Sequence, residues 1–370
     1  MSWAQWAHAE NAQTNAQGRW RRVRDFDAVG PRGRLNGREV VSFASNDYLG
    51  LSAHPLVVRA AGEALQRWGT GSGSARLIVG SRPVHSQLEK ALADWKGAER
   101  ALLFPNGFAA NLGVLSTFGT EGTLICSDEL NHASIVDGCR LAKAEVTPYP
   151  HIDMSALDAL LSGAPRAIVV SDLVFSMDGD RAPVDDLLEL CRQHDALLVL
   201  DEAHSVLEPD VDTAGTNVIR VGTLSKFVGS FGGFVAADGE FVDLLLNRSR
   251  PFIFTTASPP ADAAAALTAI GILLSPEGDV LRSRLGDLIG RVRPGHPSPI
   301  IPFVLGGEEA ATRSSDLLLE RGLFVPAIRP PSVAPGSSRL RVTLSAAHTD
   351  EEVEQLVEAL REIEVVGAHA

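Results

Sequence analysis

The chain has 370 residues, 45% hydrophobic and 21% charged, with a formal net charge of −13 at pH 7. That composition belongs to a folded, soluble globular protein too long for one ordinary core, not to a disordered or fibrous chain. The acidic balance excludes nucleic acid and anionic membrane as main partners, since both are bound through basic surface, but leaves room for a small anion held by a local basic patch.

Residues 1–45 are polar, carry RWRRVR at 19–24, and read as an arm wrapped on a neighbour. The first fifteen residues lack an apolar core, so no secretory or transit signal is expected. From 46 to 275, short apolar strands alternate with amphipathic helices, the pattern of a large, mainly parallel sheet covered on both faces. Strands are predicted at 101–104, 123–126, 167–171, 196–201, 218–222 and 234–237. Leu88, Leu92 and Trp95 form one helical stripe within 85–98, and Leu187, Leu188 and Cys191 another within 184–194. The apolar run 263–274 follows a helix-starting PPAD and is too short to cross a bilayer, so a packed helix is expected. Residues 276–370 read as a smaller α+β unit, with strands at 299–305, 323–327 and 338–344. A helix from Asp350, with Thr349 and Glu352 as a capping box, closes it. Cys126, Cys139 and Cys191 match no metal-ligand spacing and are expected as buried, reduced thiols of a cytoplasmic protein.

Chemistry enters with ALLVLDEAH, 196–204, where a buried strand ends in Asp201 and His204 follows three residues on. The carboxyl ends of such strands are where α/β sheets bind ligands. The letters DEAH also occur in nucleic-acid-dependent NTPases, but those need an upstream phosphate loop ending in Gly-Lys-Ser/Thr. The glycine-rich GTGSGSAR at 69–76 has no lysine. In VGTLSKFVGSFGGFVAA, 221–237, Lys226 sits among glycines and hydroxyls with few charges nearby. Such surroundings favour the neutral amine that a Schiff-base lysine requires. Pyridoxal phosphate needs a lysine for its aldehyde, a carboxylate for its pyridine nitrogen and a phosphate cradle. Asp201 is a carboxylate of that kind, since an ion pair at contact contributes about 4 kcal/mol at intermediate dielectric. In FPNGFAANLG, 104–113, a strand turns through Asn106-Gly107-Phe108 into a helix whose free N–H groups suit a phosphate. Thr223 and Ser225 would add hydroxyl donors. Leu340, Val342 and Leu344 alternate with Arg339, Arg341 and Thr343, a strand with one packed and one polar face. A guanidinium at Arg341 suits a carboxylate; Arg339 reads as solvated strand charge.

NDYLGL (46–51), FPNGFAAN, NHAS (131–134), VFSMDGD (174–180), DEAH, GTLSK, FTTASPPA (254–261) and AIRPPSV…SRLRVTLSAAH (327–348) together resemble the α-oxoamine synthases. These are pyridoxal-phosphate enzymes of fold type I that condense an amino acid with an acyl thioester and release carbon dioxide. The resemblance runs through nearly the whole chain. It implies a large α/β domain at 46–275 with a mostly parallel seven-stranded-type sheet, a small C-terminal α+β domain at 276–370, and a homodimer with shared sites. It implies Lys226 as the cofactor lysine, Asp201 at the pyridine nitrogen and His132 stacked on the ring. Ser176 and His204 match groups on the phenolic-oxygen side. Gly107, Phe108 and Thr223 match the phosphate site, with Thr255 or Thr256 arriving from the second subunit. Asn46 and Arg341 match positions near the amino-acid carboxylate, Ser332 a substrate-contacting hydroxyl, and Arg21, with Arg22 as a rival, the arm arginine near the acyl substrate. AIRPPSV is most similar to members that use L-alanine with pimeloyl-CoA or a pimeloyl-acyl carrier protein. Members using glycine or serine, and a cofactor-free interaction subunit on the same fold, are the alternatives; Lys226 argues against the last. The stretch SVLEPDVDTAGTN, 205–217, is shorter than the family's usual connection and has Ser205 where glycine is usual.

Overall fold

A computed structural model describes residues 1–208 and 211–367 of the chain, so part of the shortened connection, 209–210, lies outside the described residues. Helix α1 (Trp3–Ala16) opens the chain with no buried residue. An antiparallel meander follows: β1 (Phe26–Val29), β2 (Arg32–Leu35) and β3 (Arg38–Ser42). Asn36 and Gly37 close the second hairpin, both at positive φ, as a two-residue Asn-Gly turn requires. This hairpin signal stands in the sequence of the arm, where no strand was predicted.

Helices α2 (Pro55–Trp68) and α3 (Pro83–Lys96) pack beneath the Ala-rich helix Pro260–Leu273. Then come β4 (Arg100–Phe104), α4 (Gly107–Phe118), β5 (Leu124–Asp128), α5 (Ala133–Leu141) and β6 (Glu145–Tyr149). β7 (Ala167–Asp172), β8 (Leu197–Asp201), β9 (Val218–Thr223) and β10 (Gly233–Ala237) complete one sheet, of order β4-β10-β9-β8-β7-β5-β6. Only β10 runs antiparallel to its neighbours, so the sheet is mostly parallel, as expected. β7 and β9 are buried along their whole length, which is why they read as mostly apolar runs, broken in β9 by Arg220. β6, absent from the predicted strands, carries Pro148; it lies at the sheet edge, where a missing N–H is tolerated. Register sets Asp172 of β7 beside Asp201 of β8, and Asp201 beside Val221 of β9.

The C-terminal part holds β11 (Ile300–Gly306), β12 (Leu323–Phe324), β13 (Ala327–Ile328) and β14 (Ser338–Thr343). The strand expected at 323–327 is two strands in different sheets: β12 pairs parallel with β3, and β13 pairs with β14. Val325-Pro326 separates them, and Pro326 has no N–H to continue a ladder. The closing helix Asp350–Gly367 carries the capping box, with Thr349 N–H donating to Glu352 and Glu352 N–H to Thr349. The three cysteines are buried and free. Among the described residues, no single helix is long and apolar enough to cross a membrane.

β14 departs from its expected two-faced character, because all six of its residues are buried. The segment 174–181 covers its polar face: Arg339 pairs with Asp178 and donates to Met177 O, and Arg341 Nε donates to Ser176 O at 2.6 Å. Arg339 is therefore a buried anchor, not a solvated charge; alternation along a strand reports the polarity of a face, not what covers it. Gly179 turns this segment at φ +71°, and a Cβ there would meet Ile300 O at 2.0 Å. His151 bridges Asp128 (Nδ1–Oδ1 2.9 Å) and Asp180 (Nε2–Oδ2 2.7 Å).

At the end of β8 two consecutive carboxylates part company. Glu202 is buried between Lys96 (2.5 Å) and Arg220 (3.0 Å) and lines a different cavity from Asp201. Removing it would strand two buried cations, so Glu202→Gln is expected to lower the unfolding free energy by about 3 kcal/mol, measured by chemical denaturation. For His151, burial alone would lower the imidazole pKa, but the hydrogen bonds to Asp128 and Asp180 outweigh it and raise it. A group raised on folding stabilises fully below its unfolded pKa and loses that contribution as pH rises through the folded one. The stability gap between wild type and His151→Gln should thus be widest below about pH 6.5 and close as pH rises, in denaturation curves taken across pH.

Candidate active site

A cavity of about 230 Å³ lies at the carboxyl ends of β7, β8 and β9, floored by the turn from β4 into α4. Gly107, Phe108, His132, Ser176, Asp201, His204, Thr223, Ser225 and Lys226 all line it. Parallel strands deliver their ends to one edge of a sheet, so residues far apart in the chain converge there. Asn106 caps α4 through Ala109 N–H, leaving the N–H groups of Gly107 and Phe108 at a helix start. A Cβ on Gly107 would approach Thr223 Cβ to 3.3 Å, so glycine keeps this turn close to the end of β9. Thr223 Oγ1 lies 2.8 Å from Ser225 Oγ and donates to Gly232 O at 3.0 Å.

Lys226 Nζ lies 2.8 Å from His204 Nε2, and His204 Nδ1 lies 2.6 Å from the Tyr48 hydroxyl. That hydroxyl donates to Asn46 Oδ1 at 3.0 Å, which also accepts from Arg341 Nη2 at 3.3 Å. Because Tyr48 gives its proton to Asn46, His204 must donate from Nδ1 and accept at Nε2 from the lysine. Burial, with the charges of Lys226 and Arg341, holds the His204 pKa well below its ordinary value, in keeping with a neutral ring. Burial lowers the Lys226 pKa also, opposed by Asp201 and Asp172. The Tyr48 phenol is pushed up to about 12 by burial, with Arg341 pulling the other way.

Asp201 is 5% exposed; its Oδ2 accepts from Asn111 Nδ2 at 2.6 Å and its Oδ1 from Ala203 N–H at 2.9 Å. The adjacent Asp172 accepts from His132 N–H at 2.7 Å. Burial, reinforced by the charge of Asp201, raises the Asp172 pKa well above the carboxylate range. Of the two acids side by side at the strand ends, Asp172 is thus the one pushed toward the neutral form.

Asn46 and Arg341 do not line this cavity themselves and are bonded to it through Tyr48 and His204; four further expected site residues stand apart from it. Thr255 donates to Pro251 O, and with Thr256 it lines a separate small crevice beside Arg76 and Phe104. Ser332 donates its N–H to Arg329 O and does not line the cavity. Arg21 lines neither this cavity nor the larger one beside it, of about 590 Å³, to which Arg22 and Arg24 contribute. Tyr48, Asn111, Ser134 and Asp172 were missed. Two of them carried a signal, a tyrosine inside NDYLGL and an Asp closing the strand AIVVSD, whereas Asn111 and Ser134 carried none.

The aminotransferase class I and II family matches residues 38–360. The 8-amino-7-oxononanoate synthase of Geobacter sulfurreducens is 44% identical over 377 residues, covering 96% of this chain and 96% of its own. A structure of serine palmitoyltransferase from S. paucimobilis with a bound PLP–myriocin aldimine superposes with a TM-score of 0.91 at 28% identity, over 98% of both chains. A crystal structure of 8-amino-7-oxononanoate synthase from Francisella tularensis gives a TM-score of 0.76 at 26% identity, over 90% of this chain and 99% of its own. With its cofactor-type cavity and these relatives along nearly its whole length, the chain belongs to the aminotransferase class I and II family and, within it, to the α-oxoamine synthases.

Proposed function

We propose that this protein is a pyridoxal-phosphate-dependent 8-amino-7-oxononanoate synthase. It condenses L-alanine with a pimeloyl thioester, carried by CoA or an acyl carrier protein, and releases the thiol and carbon dioxide in biotin biosynthesis. The observation that carries the reading is the single cavity in which the amine of Lys226 and the carboxylate of Asp201 meet the N-terminal turn of α4. The residues fit the cofactor: an amine for its aldehyde, a buried carboxylate for its ring nitrogen, and helix-start N–H groups with Thr223 and Ser225 for its phosphate. Bound there, pyridoxal phosphate supplies an electron sink for the pair left at the α-carbon of the amino acid.

The protein's own groups do the rest. Lys226, its pKa lowered by burial, is suited to act both as anchor and as base for the α-proton. His204 accepts at Nε2 from the lysine and steadies it through Tyr48. Arg341 and Asn46 would hold the alanine carboxylate, with Arg341 itself braced by Ser176 O. Ser176 and His132 line the same cavity and are read as ring contacts. The acyl chain is assigned to the neighbouring cavity of about 590 Å³, whose wall reaches Ser45 and Asp47 on either side of Asn46. Phe26, Pro31, Leu35 and Phe324 give that cavity an apolar lining, and Arg22 and Arg24 give it a cationic part for a terminal carboxylate. The acyl-site arginine is thus read as Arg22, not Arg21, and Ser332 is kept only as an outlying substrate contact.

A cytoplasmic homodimer with each site built from both chains is part of this reading. Leu77, Ile78, Val79 and Phe254 are exposed close to Thr255 and Thr256 in sequence or space, an apolar surface that a second copy would cover. Thr255 and Thr256, outside their own chain's cavity, would then serve the partner's phosphate site.

Purified protein should show the visible absorption of lysine-bound cofactor, and Lys226→Ala should abolish it. Thiol release should be fastest with L-alanine and pimeloyl-CoA. Faster release with glycine and acetyl-CoA, or with L-serine and a long-chain acyl-CoA, would move the protein to a sister activity; protein that stays colourless after reconstitution would remove the enzyme reading altogether. Arg22→Met should raise KM for pimeloyl-CoA about tenfold, the worth of one charge-assisted contact, while leaving octanoyl-CoA, which lacks the terminal carboxylate, nearly unaffected.

A further inference from the structure

Asn111 is 1% exposed in the middle of α4, an amide among apolar neighbours, and such a group is costly unless bonded. Its Nδ2 donates twice: to Asp201 Oδ2 at 2.6 Å and to Ser134 Oγ at 2.9 Å. Ser134, also buried, lies in the first turn of α5, two residues after the His132 that caps that helix. Its hydroxyl is 2.7 Å from His132 Nδ1, and its backbone N–H donates to the same nitrogen at 3.2 Å.

The directions of these bonds follow one from another. An ionised carboxylate only accepts, so Asn111 must present Nδ2 to Asp201, and its second N–H then falls on Ser134 Oγ. With that oxygen accepting, the serine proton is directed to His132 Nδ1. That nitrogen receives two donors and must hold a lone pair, which leaves the ring proton on Nε2. We propose that Asn111 and Ser134 are positioning residues that convey the charge of Asp201 to His132 and lock it as the neutral Nε2–H tautomer. The proposal rests on the reading above in that it gives His132 and Asp201 faces toward the cofactor; Asn111 and Ser134 themselves do no chemistry. Burial lowers the His132 pKa, with Asp201 opposing and Lys226 assisting. The other groups around the ring are Asp172, bonded to His132 N–H, and His204 in the same cavity.

The test is the imidazole signal of His132 in long-range ¹H–¹⁵N spectra of the histidine-labelled holoenzyme, assigned by its loss in His132→Asn. Wild type should show Nδ1 unprotonated and Nε2 protonated, with a titration midpoint below that of an ordinary histidine. Ser134→Ala should mix the tautomers and raise the midpoint by about one pH unit, the equivalent of one hydrogen bond. Ser134→Thr, which keeps the hydroxyl, should restore the wild-type pattern. A wild-type proton on Nδ1 would overturn the proposal even if Ser134→Ala failed to fold; so would Ser134→Ala with the wild-type tautomer and midpoint. These signals are read independently of turnover, so a failed substrate assignment and a failed relay give different results.

Discussion

A carboxylate buried at the end of β8 sets the terms for everything around it. An isolated charge there would be prohibitively costly, so Asp201 must be bonded from every side that water has left. One oxygen takes a backbone N–H in the same turn, the other takes the amide of Asn111, and the amine of Lys226 shares the cavity. Its neighbour Asp172, one strand away in register, cannot comfortably ionise beside it and is pushed toward the neutral acid. The site is therefore organised by one negative charge, from which hydrogen-bond polarity runs outward to His132 through Asn111 and Ser134.

A second line of polarity starts from the lysine. Lys226, His204, Tyr48, Asn46 and Arg341 form a continuous run of bonds that joins the sheet to the N-terminal segment and to β14. Arg341 can belong to it because the segment 174–181 lies over β14 and takes both strand arginines, Arg341 through Ser176 O and Arg339 through Asp178. His151 ties Asp180 of that segment to Asp128, and Gly179 lets the segment pack closely against Ile300. Residues outside the cavity lining, His151 and Gly179 among them, thus help determine where the Arg341 guanidinium sits.

The parallel sheet was legible because fully buried strands must be mostly apolar, and β4, β5, β7, β8, β9 and β10 all announce themselves in that way. β6 did not, since an edge strand with a proline satisfies fewer constraints. Short strands such as β12 and β13 lack the length for any periodicity, and only their partners define them. Lys226, Asp201 and His204 could be singled out from residue type and company, whereas His132 entered only through the resemblance of NHAS to a family motif. Asn111 and Ser134 could not be, because a buried amide and a helix-start serine are ordinary until their partners are known.

By itself the sequence determined the chemistry on offer: an amine among glycines, a carboxylate ending a buried strand, and a helix start behind a glycine turn, each dictated by local composition and period. Tertiary structure alone decided which of two adjacent acids is pushed toward the neutral form, that Arg339 is buried, and that Arg22 rather than Arg21 reaches the larger cavity. The burial of Arg339 depends on Asp178, 161 positions away, and the pairing of the two acids on strand register, and side-chain spacing along a chain carries no information about what will lie across from it.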